Sequence, residues 1–297
     1  FPISRGASIA FCEGLRHIVT NLKDFEITAM LSVPALFENM YKKVWHSIEE
    51  GKRETQVKVA LKASEALLKV GIDMRKQLFK QIHENLGGKV RFFVSGAAAI
   101  SPEVVKGFYD FGIPLYQGYG LTETSPVIAA EKQSARKPGS VGIPFENLDV
   151  KIDDPDSEGM GEIMVKGPSV MLGYYENEEA TKAVLSHGWF KTGDLGKIDE
   201  EGYLFITGRK KDVIVLKNGK NVFPEELEIL INNDIPAVKE CIVYGADQGN
   251  DEIELRVKIV YDKDLVGQMW EDRPALSRKP AWFLEEENCG ATRVEKI

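Results

Sequence analysis

The sequence predicts an α/β protein: an open α/β sheet, then a β-rich region, then a small α+β domain. Three observations carry that reading. Up to residue 136, short apolar runs alternate with amphipathic helical stretches, the pattern of strands and helices around an open sheet. From Lys137 to residue 207, turn signals recur about every eight to twelve residues with short strands between them, as in β-rich subdomains. From Gly208 the chain offers a hairpin, a helix and a pair of strands. The expected division is 1–207, made of an α/β part (1–136) and a β-rich part (137–207), followed by an incomplete small domain at 208–297.

Each element has a local cause. Met30 to Val33 reads as a buried strand ended by Pro34, which cannot donate to a sheet ladder. Ala35 to Glu49 reads as a helix. Leu36, Met40, Val44 and Ile48 form one stripe and Phe37, Tyr41 and Trp45 a second, and most of both is expected in the core. Residues 52–86 are rich in lysine and glutamate and read as a solvated helix pair. Strand Val90–Val94 delivers the small-residue loop Ser95–Ser101, and Ser101 is placed to cap a helix that has Pro102 at its first position. Strand Leu115–Tyr116 delivers a loop carrying Tyr119; ligands of such sheets lie beyond the carboxyl ends of the strands. Strands Val150–Ile152, Glu162–Val165 and Tyr203–Thr207 follow, with Asp199–Tyr203 as a hairpin turn. A hairpin over Val213–Val222 has Asn218-Gly219 at its tip. Pro224 starts a helix over Glu225–Ile231, and strands Glu240–Tyr244 and Glu254–Val260 pair after it. Past Asp264 the pattern decays, and no helix or strand is predicted there.

Composition narrows the function classes. A net charge of −8 argues against a nucleic-acid binder, which would show a basic face. The cysteines Cys12, Cys241 and Cys289 are odd in number and widely spaced. They suit neither a disulfide framework nor zinc, so a reducing, cytoplasmic compartment is expected. No apolar run approaches a membrane span. His17, His46, His83 and His187 have no partners in sequence, and each is expected at the surface.

The chemistry is concentrated in three segments. In Tyr116-Gln117-Gly118-Tyr119-Gly120-Leu121-Thr122-Glu123-Thr124, Tyr119 offers a flat face for a base. Thr122 can donate to a phosphoryl oxygen, and Glu123 is a hard oxygen ligand suited to magnesium. In Phe190-Lys191-Thr192-Gly193-Asp194-Leu195-Gly196, the carboxylate of Asp194 can accept both hydroxyls of a ribose. In the third, Thr207-Gly208-Arg209-Lys210-Lys211-Asp212, permanent positive charge follows a glycine.

With Ser95-Gly96-Ala97-Ala98-Ala99-Ile100-Ser101 before them, and Gly159-Met160-Gly161-Glu162-Ile163 and Gly173-Tyr174-Tyr175 between them, these segments resemble the adenylate-forming (AMP-binding) superfamily. The match runs from about residue 85 to residue 260. The run Met74–Lys80 into Leu86–Arg91 and the Lys217-Asn218-Gly219 spacing resemble long-chain fatty-acid–CoA ligases in particular. The resemblance implies the carboxy-terminal part of a large AMP-binding domain followed by a lid domain. It implies fatty acid, ATP with Mg²⁺, and CoA as reactants, giving acyl-CoA, AMP and pyrophosphate. It also leaves room for peripheral membrane contact and a homodimer.

By the same resemblance Tyr119 stacks on adenine, and Gly96, Ala97 and Ala98, with Gln117, Gly118 and Gly120, line the nucleotide. Thr122 contacts the α-phosphate, Glu123 holds the metal, and Asp194 and Arg209 take the ribose or phosphate oxygens. Lys217 and Gly219 are counted with the cofactor-binding residues, and Lys211 or Asp212 is the hinge. Thr292-Arg293-Val294-Glu295-Lys296-Ile297 is similar to the loop that carries the adenylation lysine, with Glu295 in place of glycine, which makes Lys296 the candidate. The resemblance also implies that part of the helix after Pro34 lines an acyl tunnel. The Gly/Ser/Thr-rich phosphate loop of the family's first half is not found. The chain is therefore expected to be part of a longer synthetase, inactive and association-prone by itself. Two alternatives remain: an adenylation domain that loads a carrier protein, and a non-catalytic nucleotide-binding fragment.

Overall fold

A computed structural model describes residues 3–217, 220–235, 237–247, 253–263, 265–267 and 292–294. The chain forms two compact units. One comprises Phe1–Asp149, Lys166–Glu178 and Asp199–Phe205; the other comprises Val150–Val165, Glu179–Ile198 and Ile206–Ile297.

In the first unit the order is α1 (Ile18–Asp24), β1 (Ala29–Ser32), α2 (Pro34–Glu50), α3 (Glu54–Lys69), α4 (Arg75–Leu78), α5 (Lys80–Asn85), β2 (Phe92–Ser95), α6 (Pro102–Asp110), β3 (Leu115–Gly120), β4 (Val127–Ala130) and β5 (Ile143–Pro144). The five strands form one sheet in the order β1-β2-β3-β4-β5. β1, β2 and β3 are parallel, whereas β4 and β5 join antiparallel. Both stripes of α2 reach the core: Phe37, Met40, Tyr41 and Ile48 are buried, with Leu36, Val44 and Trp45 packed against them. Phe37 meets Phe93 of β2 at 5.1 Å between ring centres, and Phe93 meets Phe108 of α6 edge-on at 5.3 Å. A side chain at Gly107 would collide with the Tyr41 ring, so this glycine sets how closely α6 approaches α2.

Several expectations are corrected in this unit, among them the solvated helix pair over 52–86, which is three helices, α3 to α5, with Phe79, Ile82 and Leu86 in the core. β1 is not a buried strand but the edge of the sheet, with Leu31 and Val33 exposed. β2 begins two residues later than expected, at Phe92. Ser101 precedes α6, yet its hydroxyl caps nothing and is buried without a hydrogen-bond partner; its N–H faces Glu38 Oε1 at 3.4 Å. His83 is not at the surface: it is 5% exposed, with Nε2 2.8 Å from the Phe111 carbonyl. Burial is the main cause that lowers its pKa.

The second unit holds most of β6 (Asp149–Asp153), β7 (Gly161–Lys166), α7 (Glu178–Val184), β8 (Leu185–Ser186), β9 (Trp189–Ile198) and β10 (Leu204–Arg209). Strands β10-β9-β7-β6 form a sheet in that order, with β8 on β9. β11 (Ile214–Val215) and β12 (Asn221–Val222) make the expected antiparallel hairpin, and α8 (Pro224–Asp234) follows. β13 (Val238–Asp247) and β14 (Ile253–Tyr261) pair antiparallel. α8 docks on β13 through Glu228, whose Oε1 accepts the Val243 N–H at 2.8 Å. The expectation of no strand past Asp264 is also corrected. β15 (Thr292–Val294) pairs with β14 by backbone register, which side-chain periodicity over three residues cannot reveal. Among the described residues no helix is long and apolar enough to cross a membrane.

Candidate functional site

The site residues fall into two clusters, one in each unit. In the first unit β3 changes partners along its length. Ser95 pairs with Gln117 in the parallel ladder, and two residues later Tyr119 pairs antiparallel with Ala129 of β4. Tyr119 is therefore half-buried on a strand rather than in a loop. The register shifts between Tyr119 and Gly120. A side chain at Gly120 would collide with the Pro126 carbonyl, so that glycine answers to backbone approach within the fold. A Cβ on Gly96 would stand 3.7 Å from the Gly118 carbonyl, which brings the small-residue loop beside β3. Ala97 and Ala98 of that loop are exposed, and Ala97 is held at φ +75°, a left-handed conformation that costs an L-residue about 1–2 kcal/mol.

Beyond β3 the chain makes a tight turn over Thr122–Thr124. Thr124, not Thr122, locks it. Its fully buried hydroxyl accepts the Leu121 N–H at 3.1 Å and donates to the Pro126 carbonyl at 2.7 Å. Thr122 is left exposed and Glu123 half-exposed. The Tyr174 hydroxyl donates to Glu123 Oε1 at 3.0 Å, and Met171 N–H reaches the Glu123 carbonyl at 2.8 Å. The contacts of Gln117 belong to the scaffold. Its backbone N–H donates to the buried Glu131 (2.8 Å), and its side chain donates to the Ser140 carbonyl (3.3 Å).

In the second unit Asp194 stands on a bulge. Glu162 pairs with Leu195 and Met164 with Lys191, so Ile163 faces three residues, Thr192, Gly193 and Asp194. Bulges re-aim side chains and recur beside functional sites. Gly193 adopts φ +74°. The buried Thr192 hydroxyl donates to the Ile163 carbonyl (2.8 Å) and accepts the Asp194 N–H (3.1 Å). Asp194 is 5% exposed, and Arg209 Nε lies 3.1 Å from its Oδ1. The structure thus brings together the two residues expected at the ribose. Glu162, which the sequence reading did not single out, accepts the Gly193 N–H at Oε1 (3.2 Å) and Lys210 Nζ at Oε2 (2.8 Å). Lys211 and Asp212 are exposed in the short turn Lys210–Asp212, and Lys217 is exposed beyond β11. Gly219 and Lys296 lie outside the described residues.

The first cluster can offer a ring face, a hydroxyl and a carboxylate; the second offers a buried acceptor beside a cation. Among the described residues no group of three or more His, Cys, Asp or Glu side chains could hold a metal unaided. Glu123 still fits magnesium, which commonly uses one or two carboxylates plus substrate phosphates and water.

A family model for AMP-binding enzymes matches residues 1–175. A long-chain-fatty-acid–CoA ligase of Mycobacterium bovis is 34% identical over 251 residues, covering 80% of this chain and 41% of that protein. Two solved structures of o-succinylbenzoate coenzyme A synthetase from Bacillus subtilis share the fold at 25% identity. The one in complex with AMP has a TM-score of 0.62 and covers 88% of this chain and 47% of that one. The one with ATP and magnesium has a TM-score of 0.60 and covers 90% and 50%. The chain therefore spans about two fifths of the length of that curated ligase. With the family matched over more than half of its residues and the adenylate-forming fold around both clusters, the chain belongs to the AMP-binding enzyme family.

Proposed function

We propose that the full-length protein activates a medium- to long-chain fatty acid with ATP and passes the acyl group to CoA, giving acyl-CoA, AMP and pyrophosphate. One observation carries the reading: the Tyr119–Glu123 segment and the Asp194–Arg209 pair occur in a chain 34% identical to a long-chain-fatty-acid–CoA ligase.

In this reading the substrate carboxylate attacks the α-phosphate of ATP, pyrophosphate leaves, and the CoA thiol then displaces AMP from the acyl-adenylate. Such chemistry rests on positioning and charge stabilisation rather than on a protein nucleophile. Tyr119 supplies the stacking face for adenine, and Thr122 donates to the α-phosphate. Asp194 accepts the ribose hydroxyls, with Arg209 fixing its carboxylate and meeting the neighbouring oxygens. Magnesium held through Glu123 and the substrate phosphates would neutralise phosphate charge. The Tyr174 hydroxyl occupies Oε1 of Glu123 and so leaves Oε2 for the cation. Lys211 or Asp212 takes up the rotation between the two half-reactions.

The test is thioester formation by the full-length protein from ATP, Mg²⁺, CoA and fatty acids of increasing length. Activity at limiting substrate should rise with chain length, because each buried methylene adds about 0.8 kcal/mol. A preference for acetate or an amino acid over palmitate contradicts the substrate assignment. Acyl-adenylate that is discharged by a carrier protein but not by CoA would transfer the reading to a carrier-loading enzyme.

A further inference from the structure

We infer that Glu162 is the positioning residue of the Asp194–Arg209 pair, tying the bulge of β9 to the end of β10 in one frame for a ribose; this rests on reading Asp194 as the ribose acceptor. A buried carboxylate is costly unless its oxygens are partnered. Glu162 is 8% exposed, and its two oxygens serve two different elements. Oε1 takes the Gly193 N–H on the bulge, and Oε2 takes Lys210 Nζ just past β10. Gly193 immediately precedes Asp194, and Lys210 immediately follows Arg209. The Arg209–Asp194 contact spans the same two elements. Two adjacent rungs therefore join β9 to the end of β10, and one of them is supplied by a third strand, β7.

The bulge has a specific need for this support. A bulge interrupts the ladder that would otherwise fix its residues, and a Cβ at Gly193 would meet nothing within 4 Å. Thr192 ties the backbone on one side of Gly193 and Glu162 ties Gly193 itself. Along their side chains alone, Lys210 is 63% exposed and Glu162 10%. The lysine reaches inward to the acid, whose hydrogen bond and charge raise the lysine's pKa.

The test measures AMP and 2′,3′-dideoxy-AMP binding by calorimetry on the full-length protein and on Glu162→Ala, Lys210→Met and Asp194→Ala variants. Because Glu162 is buried, its removal can weaken the sheet, so the exposed Lys210 provides a second variant, and unfolding midpoints are recorded for all. Glu162→Ala is expected to weaken AMP about tenfold, the loss of one charge-assisted hydrogen bond, and Lys210→Met about two- to fivefold, because the exposed lysine's ion pair is screened by water; both should weaken the dideoxy ligand much less. Equal losses for both ligands, or no loss for either, overturn the inference. If Asp194→Ala leaves AMP binding unchanged, the ribose reading itself has failed. If Asp194→Ala discriminates the ribose hydroxyls and the other two variants do not, only the positioning role of Glu162 falls.

Discussion

The turn at Thr122–Thr124 and the bulge at Thr192–Asp194 solve the same problem in opposite ways. Each fixes an acidic side chain with the help of a buried threonine hydroxyl that satisfies backbone groups: Thr124 for Leu121 and Pro126, Thr192 for Ile163 and Asp194. In the turn the acid, Glu123, stays half-exposed and meets a neutral partner, Tyr174. On the bulge the acid, Asp194, is buried and has a cationic partner, Arg209. The first arrangement suits a ligand that arrives with its own charge and water. The second suits hydroxyls that must be recognised out of water, where a charged acceptor is worth most.

The contrast predicts different sensitivities. The largest effect is expected at Asp194. Asp194→Ala removes a charged acceptor and leaves Arg209 without that contact, so AMP binding should weaken by roughly 1.5–3 kcal/mol; calorimetry checks it. Next comes Thr124→Val, which strips a buried donor–acceptor from the turn. It should cost about 1–3 kcal/mol of stability, read from the denaturation midpoint. If the cost is nil, the turn is held by something other than that hydroxyl. Ala97→Gly should act in the opposite direction and stabilise the first unit by about 1 kcal/mol, because φ +75° is open to glycine and strained for alanine. Tyr174→Phe should be milder: losing one hydrogen bond to a half-exposed, solvent-screened carboxylate should raise the magnesium concentration needed for half-maximal activity without unfolding the protein. An unchanged magnesium titration would separate Tyr174 from the metal.

How much of this was legible depended on whether a pattern or a contact was involved. Both stripes of α2, the Asp199–Tyr203 turn, the 214–222 hairpin and the α8–β13–β14 order follow from periodicity and turn chemistry. Sequence reading placed Tyr119 in a loop because two glycines suggest a turn. The strand continues through them because β4 supplies a ladder and Gly120 admits the Pro126 carbonyl. His83 looked like a surface residue because its partner, the Phe111 carbonyl, is 28 positions away. Tyr174 on Glu123 and Glu162 on Gly193 and Lys210 are also distant pairs. One signal was available for the bulge: in β9 the alternation that buries Phe190 also buries Thr192 and Asp194, and polar residues on a buried face call for partners.

His83 sharpens the comparison through pH. Its folded-state pKa lies below the ordinary histidine value of about 6.5. The unfolded chain therefore takes up a proton that the fold resists. Its contribution to stability is present above pH ~6.5 and is lost as pH falls toward the folded-state pKa. The thermal unfolding midpoint of the first unit should fall on acidification through that window, and His83→Gln should flatten the change. A slope that persists in His83→Gln would assign it to another group.

Fatty-acid-dependent exchange of pyrophosphate into ATP, catalysed by the full-length protein, tests the central claim most directly. Palmitate should drive exchange in the wild type, and Asp194→Ala should slow it at limiting ATP by about tenfold or more. Exchange that ignores palmitate, or that proceeds unchanged without the Asp194 carboxylate, would contradict the account.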